Sequence, residues 1–139
     1  MALHREEIVV STRGETDVVD VTPHARRLLE GWGTRRGTVH LFVPGSTAGL
    51  TTIEFEPGCA RDLQEAFERV APRQAFYHHN ERWGDGNGFS HVRAALLGPS
   101  LCVPVESGEL VLGTWQQIIL VDFDNRPRER RLLVSVTAS

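Results

Sequence analysis

The sequence predicts an α+β fold that is mainly β: an antiparallel β-sandwich with two or three helices packed outside it, in one domain over residues 1–139. Three observations carry this. The C-terminal third reads as strands separated by short turns, the pattern of antiparallel sheets. Val39, Leu41 and Val43 alternate with His40 and Phe42, the period of a half-buried strand. Two earlier stretches carry apolar residues at helical spacing instead.

In chain order, Ile8-Val9-Val10, Arg13-Gly14-Glu15-Thr16 and Val18-Val19 read as a strand, a turn and a second strand. Thr22-Pro23 reads as an N-cap followed by Pro at the first helical position. Ala25, Leu28, Leu29 and Trp32 then form one helix face, ended by Gly31 and Gly33. Thr38–Val43 is a strand. Gly45–Thr52 reads as a loop of small and hydroxyl residues, and Pro57-Gly58 as a break. Leu63, Ala66, Phe67 and Val70 give a second helix, stopped by Pro72. Gln74–His79 reads as a short strand, with His78 and His79 on opposite faces and Tyr77 beside His79. Gly84–Gly88 is a loop, and Ser90 caps a short helix through Leu97. Leu101–Val105 and Glu109–Leu112 flank the hairpin turn Ser107-Gly108. Trp115–Phe123 is a long apolar strand, Asn125-Arg126-Pro127 turns the chain, and Leu132, Val134 and Val136 alternate with Leu133, Ser135 and Thr137.

Composition excludes several chemistries. The chain has 139 residues, of which 40% are hydrophobic and 24% charged, ordinary for a globular domain. A chain of this length buries roughly 68% of its unfolded surface and needs no disulfide or metal staple. All 15 basic residues are Arg, so lysine Schiff-base and P-loop chemistry are ruled out. Each basic side chain is a permanently charged fork suited to phosphate or carboxylate. The net charge of −3 argues against a nucleic-acid binder. No apolar run approaches 18 residues, so no membrane span is expected. The first residues lack a signal-peptide pattern, and the expected location is the cytoplasm. Cys59 and Cys102 have no metal spacing and are expected to be reduced core residues.

Candidate chemistry falls in three places. His78, His79 and His91 cluster in sequence, and Gly84-Asp85-Gly86-Asn87-Gly88-Phe89-Ser90-His91 runs a glycine-rich loop into a helix start. Free N–H groups there favour an anion, and a histidine there is pushed toward the neutral form that binds metal. Read blandly, the same loop is only a turn. Gly45–Thr52 is either a strand connection or an anion cradle, with Glu54 close by. Asn125–Arg131 holds four Arg, either a phosphate site or a charged edge that protects the sheet from aggregation.

A set of motifs then adds a family resemblance. Gly98-Pro99-Ser100, Val103-Pro104-Val105, Gly108-Glu109-Leu110 and Leu112-Gly113-Thr114-Trp115-Gln116 occur in order. They follow Ser46–Thr51, Glu54, Tyr77 with His79, and Asn87–His91, and they precede the Arg-rich turn. Over nearly its whole length the chain resembles the YjbQ-like family, small proteins often labelled secondary thiamine-phosphate synthase. The resemblance implies a β-sandwich, a homotrimer, and a histidine-lined pocket near a subunit boundary that holds a divalent metal (zinc or magnesium) and a small phosphorylated metabolite or similar anion. The implied reaction joins a pyrimidine methyl pyrophosphate to a thiazole phosphate and releases pyrophosphate. It implies His79, His91 and Glu54 as catalytic residues. His79 and His91 double as metal ligands, with the third ligand unassigned. Ser46, Thr47, Asn87, Ser100, Thr114 and Gln116 orient substrate, and Arg126 and Arg128 take phosphate.

The chain departs from the family pattern at three points. A histidine that usually opens the first loop stands as Gly45, a histidine of the Asn-x-His-x-His loop stands as Phe89, and an Asn before the glutamate stands as Ile53. Two readings follow. One is a synthase-like enzyme with a reduced histidine set. The other is a catalytically degenerate member that binds a small anion or serves as an oligomeric scaffold.

Overall fold

The structure is a computed structural model and describes residues 2–139. Its strands in chain order are β1 (Ala2–Thr12), β2 (Asp17–Asp20), β3 (Gly37–Phe42), β4 (Ala48–Glu54), β5 (Ser100–Glu106), β6 (Glu109–Leu110), β7 (Gln116–Asp122) and β8 (Arg128–Ala138). They form two antiparallel sheets, one ordered β1-β8-β3-β5-β6 and the other β2-β7-β4. The helices are α1 (Thr22–Trp32), α2 (Pro57–Val70), α3 (His78–Trp83) and α4 (Gly88–Leu97). None of them is long and apolar enough to cross a membrane.

The layers follow from side-chain parity. Leu132, Val134 and Val136 of β8 point inward and meet Leu50, Ile118 and Leu120 of the smaller sheet, with Ala25 and Leu29 of α1 in the same core. The other face of β7 offers Ile119 and Val121, which with Phe123 meet Ala94 and Leu97 of α4 and Leu63 and Phe67 of α2. β7 is therefore buried on both faces, which explains its unbroken apolar run. Each such fully buried side chain contributes about 1.5–3 kcal/mol.

Several elements differ from the sequence expectation, each for a local reason. The first strand, turn and second strand are as expected; β1 joins β8 and β2 joins β7, so the turn at Arg13–Thr16 carries the chain between sheets. Thr22 is not the N-cap of α1. Val21 is, and the buried Thr22 hydroxyl accepts from the Ile118 amide at 2.7 Å, stitching the helix to β7. Replacing Thr22 by Val leaves that amide unpaired. The expected loss is about 1–3 kcal/mol by denaturant melting, and an unchanged midpoint would refute the stitch. Gly31 lies within α1, and only Gly33, at φ 66°, ends it.

The expected loop at Gly45–Thr52 becomes strand β4 from Ala48 onward, paired with β7. Pro57-Gly58 starts α2 rather than breaking the chain, because Glu56 caps it by accepting from the Gly58 and Cys59 amides. Gln74–His79 is not a strand. The Tyr77 hydroxyl donates to the Pro72 carbonyl at 2.6 Å, folding this segment back on itself, and α3 begins at His78. Ser90 does not cap α4; it sits inside the first turn, after the N-cap Asn87, and donates to the Phe123 carbonyl. Gly88 is required there, since a Cβ would stand 2.6 Å from Tyr77 Cβ. The Ser107-Gly108 hairpin is as expected, with φ of 53° and 79°. Both cysteines are free, but Cys59 is half-buried and Cys102 exposed, so neither is a core residue.

Candidate functional site

The site lies where β7 ends, β8 begins and α3 hands over to α4. Its foundation is a buried polar network. Asp122 accepts from Arg130 Nε at 2.8 Å and Nη2 at 2.9 Å. Arg130 Nη2 also donates to Thr47 Oγ1 at 2.6 Å. Asp124 accepts from Arg128 Nε at 2.8 Å, Thr47 Oγ1 at 3.2 Å and Asn87 Nδ2 at 3.3 Å. Burial by itself raises the Asp124 pKa. The hydrogen bonds from the Asn125 amide, Arg128 and Asn87 outweigh it and hold the carboxyl below its ordinary value.

Above this foundation sit two imidazoles. The His79 and His91 ring centroids are 4.4 Å apart, with the planes tilted by 38°. His79 comes from α3 and His91 from the first turn of α4, brought together by the Gly84–Asn87 loop. His79 Nδ1 is buried without a hydrogen bond, and the nearest carboxylate oxygen, on Asp85, is 3.7 Å away. Burial and the neighbouring His79 push the His91 pKa down, against Asp85 and Asp124. His91 thus stays an uncharged imidazole at neutral pH, able to accept a proton on one nitrogen and donate a hydrogen bond from the other. It lines a cavity of about 270 Å³ with Gly45, Ser46, Ala48, Ala94, Ala95 and Pro99.

The sequence-predicted residues divide into three groups. His79, His91, Ser46, Thr47, Asn87 and Arg128 converge here, but Arg128 is committed to Asp124 rather than left for a ligand. Ser100 and Gln116 line a separate groove of about 430 Å³ with Thr52 and Cys102. Gln116 is held there by Thr52 and the Gly113 amide. Thr114 and Arg126 are exposed on turns. Glu54 pairs with Gln116 in register while Ala48 pairs with Asp122. Six residue steps of about 3.3 Å therefore put Glu54 roughly 20 Å along the strand from the network, too far to act with His91 in one chain. His78 packs on Phe76 instead of joining the pair.

Sequence reasoning missed Asp122 and Asp124, and took Arg130 only as one of the four Arg in the Asn125–Arg131 run. The signal was present as parity: Asp122 and Asp124 continue the inward series Ile118, Leu120, and Arg130 precedes the inward series Leu132, Val134, Val136. Charged residues at inward positions of two strands point to a buried pair.

The donor set does not fit a catalytic metal with three protein ligands. Among the described residues no group of three or more His, Cys, Asp or Glu side chains is placed to hold a metal ion. Phe89 and Ile53 do not line the His91 cavity. Phe89 is buried against the Arg73 and Arg93 guanidiniums, 5.5 and 4.9 Å from its ring centroid. Ile53 packs against the outer core with Phe67.

Comparison with known proteins gives one consistent result. Residues 6–139 match the family model described as UPF0047 protein YjbQ-like. A UPF0047 protein of Archaeoglobus fulgidus is 38% identical over 128 residues, covering 92% of this chain and 97% of that protein. One from Methanothermobacter thermautotrophicus is 37% identical over 136 residues, covering 98% and 93%. A YbjQ-like protein of unknown function from Sulfolobus solfataricus superposes with a TM-score of 0.94 at 31% identity, covering 99% of both chains. A YjbQ/UPF0047 protein from Clostridium acetobutylicum gives 0.87 at 32% identity, covering 95% and 99%.

Proposed function

The chain belongs to the UPF0047 YjbQ-like family, and from that premise we propose that it is a secondary thiamine-phosphate synthase-like transferase acting on small phosphorylated or pyrophosphorylated metabolites at the cavity lined by His91. One observation carries this reading: an uncharged imidazole, backed by a second imidazole, opens into a cavity edged by Gly45 and Ser46. In the reaction the thiazole nitrogen lone pair forms a bond to the pyrimidine methylene. The methylene C–O bond breaks, and its electron pair leaves with pyrophosphate. The protein's task is to position the two reactants and stabilise the departing charge. The N–H of His91 is suited to hydrogen-bond a leaving oxygen, and the Ser46 hydroxyl is suited to orient it. No step is routed through a metal.

The second reading, an anion-binding or scaffold protein without chemistry, is favoured by a specific observation: Phe89 supplies no ligand at the cavity and is built into a different contact. We place either protein in the cytoplasm as a homotrimer, in which Glu54, Ser100, Thr114 and Gln116 of a neighbouring subunit complete the site. Exposed Trp115 and Leu96 support burial against another copy.

The test is thiamine-phosphate formation from the pyrimidine pyrophosphate and the thiazole phosphate. The wild-type chain is expected to turn over, and His91→Ala to lose at least 100-fold in rate. Wild-type protein that binds pyrophosphate yet forms no product overturns the enzyme reading in favour of the second.

A further inference from the structure

We infer that the positive charge this chain offers its ligand is the Arg130 guanidinium rather than a bound metal ion, and that Arg130 Nη1 receives a phosphate-type oxygen beside Gly45 and His91. The inference rests on the reading of the His91 cavity as an anion site and names the group that takes the anion.

Arg130 is 8% exposed, so its charge is largely removed from water. Its Nε and Nη2 are taken up by Asp122 and Thr47. Nη1 carries two further N–H donors and makes no hydrogen bond among the described residues. A guanidinium presents five donors in a fixed fork, and Nη1 is not among the buried unpaired atoms of the described residues, so its two donors stay open to an incoming ligand. A phosphate oxygen satisfies them with a charge-assisted bond, stronger here than in water.

Position supports the same assignment. Gly45 lines the His91 cavity. A Cβ added to Gly45 would stand 3.2 Å from Arg130 Nη1. Any side chain at position 45 would therefore cap that nitrogen, and glycine leaves it bare. Gly45 also has φ 132°, a conformation other residues rarely adopt. Asp122 and Asp124 are balanced by Arg128 and Arg130, so an incoming anion meets no net negative charge in the network.

The experiment is calorimetric titration of the untagged chain with inorganic pyrophosphate, once in chelator and once with added zinc or magnesium. Equal affinity within threefold in the two conditions is the expected result. Gly45→Ala is expected to weaken binding at least tenfold while keeping the wild-type circular dichroism spectrum. Arg130→Gln is expected to abolish binding, but its buried position makes folding uncertain, so Gly45→Ala decides. Binding that requires added metal overturns this inference and leaves the site reading intact. Wild-type affinity in Gly45→Ala overturns the assignment to Arg130. No binding in either condition overturns the site reading itself.

Discussion

Asp122→Ala is expected to destabilise the protein by about 3–5 kcal/mol, the largest effect of any single substitution at the site. Asp122 is fully buried and takes two hydrogen bonds from Arg130, which is itself buried. Removing the carboxylate leaves the Arg130 guanidinium with one hydrogen bond, to Thr47, and the Asp124 carboxylate at 4.0 Å. It also removes the acceptor for the Asp124 amide, which bonds Asp122 Oδ1 at 3.0 Å. The loss is a penalty for the unpaired charge, not the net worth of the pair. The double variant Asp122→Leu with Arg130→Met should therefore recover much of it. Denaturant unfolding of the single and double variants checks both statements. A single-variant loss below about 1 kcal/mol, in the range of a surface pair, would refute the network as the foundation of the site.

Phe89→Ala is expected to cost about 3–5 kcal/mol. The ring is 1% exposed and packs against the Arg73 and Arg93 guanidiniums, so its removal leaves a cavity and exposes the face of buried Arg93. The companion variant Phe89→His addresses chemistry. Residues 89 and 91 are two apart on α4, about 200° around the helix axis. A histidine at 89 therefore points toward Arg73 and Arg93, away from His91. Phe89→His is expected to leave zinc affinity at the wild-type level and to lower stability. Zinc binding gained in this variant, measured by calorimetry, would show that the first turn of α4 can rotate its side chains into the cavity.

The sandwich was legible because β3 and β8 alternate and α1 and α2 carry apolar residues at helical spacing, buried in α1 and partly buried in α2. The turn to α3 was not, because the bond from Tyr77 to Pro72 that folds it back leaves no periodic trace. β4 was hidden for a related reason: Ala48-Gly49 and Thr51-Thr52 look like a loop by composition, and only pairing with β7 makes them a strand. His79 and His91 were identified correctly as neighbours, although the strand geometry assumed for His79 was wrong. Arg130 was merged into a run of surface arginines. Its inward parity with Leu132 separated it from Arg131, which is exposed and faces Glu7 instead.

The most direct test of the His91 cavity, with the His79 ring beside His91, as the ligand site is a titration with inorganic pyrophosphate followed through the histidine imidazole resonances of the ¹⁵N-labelled chain. His79 and His91 are expected to shift together and saturate, while His4, His24, His40 and His78 stay in place. Shifts confined to those four, or no shift at concentrations where calorimetry records binding, would place the ligand elsewhere and contradict the site described above.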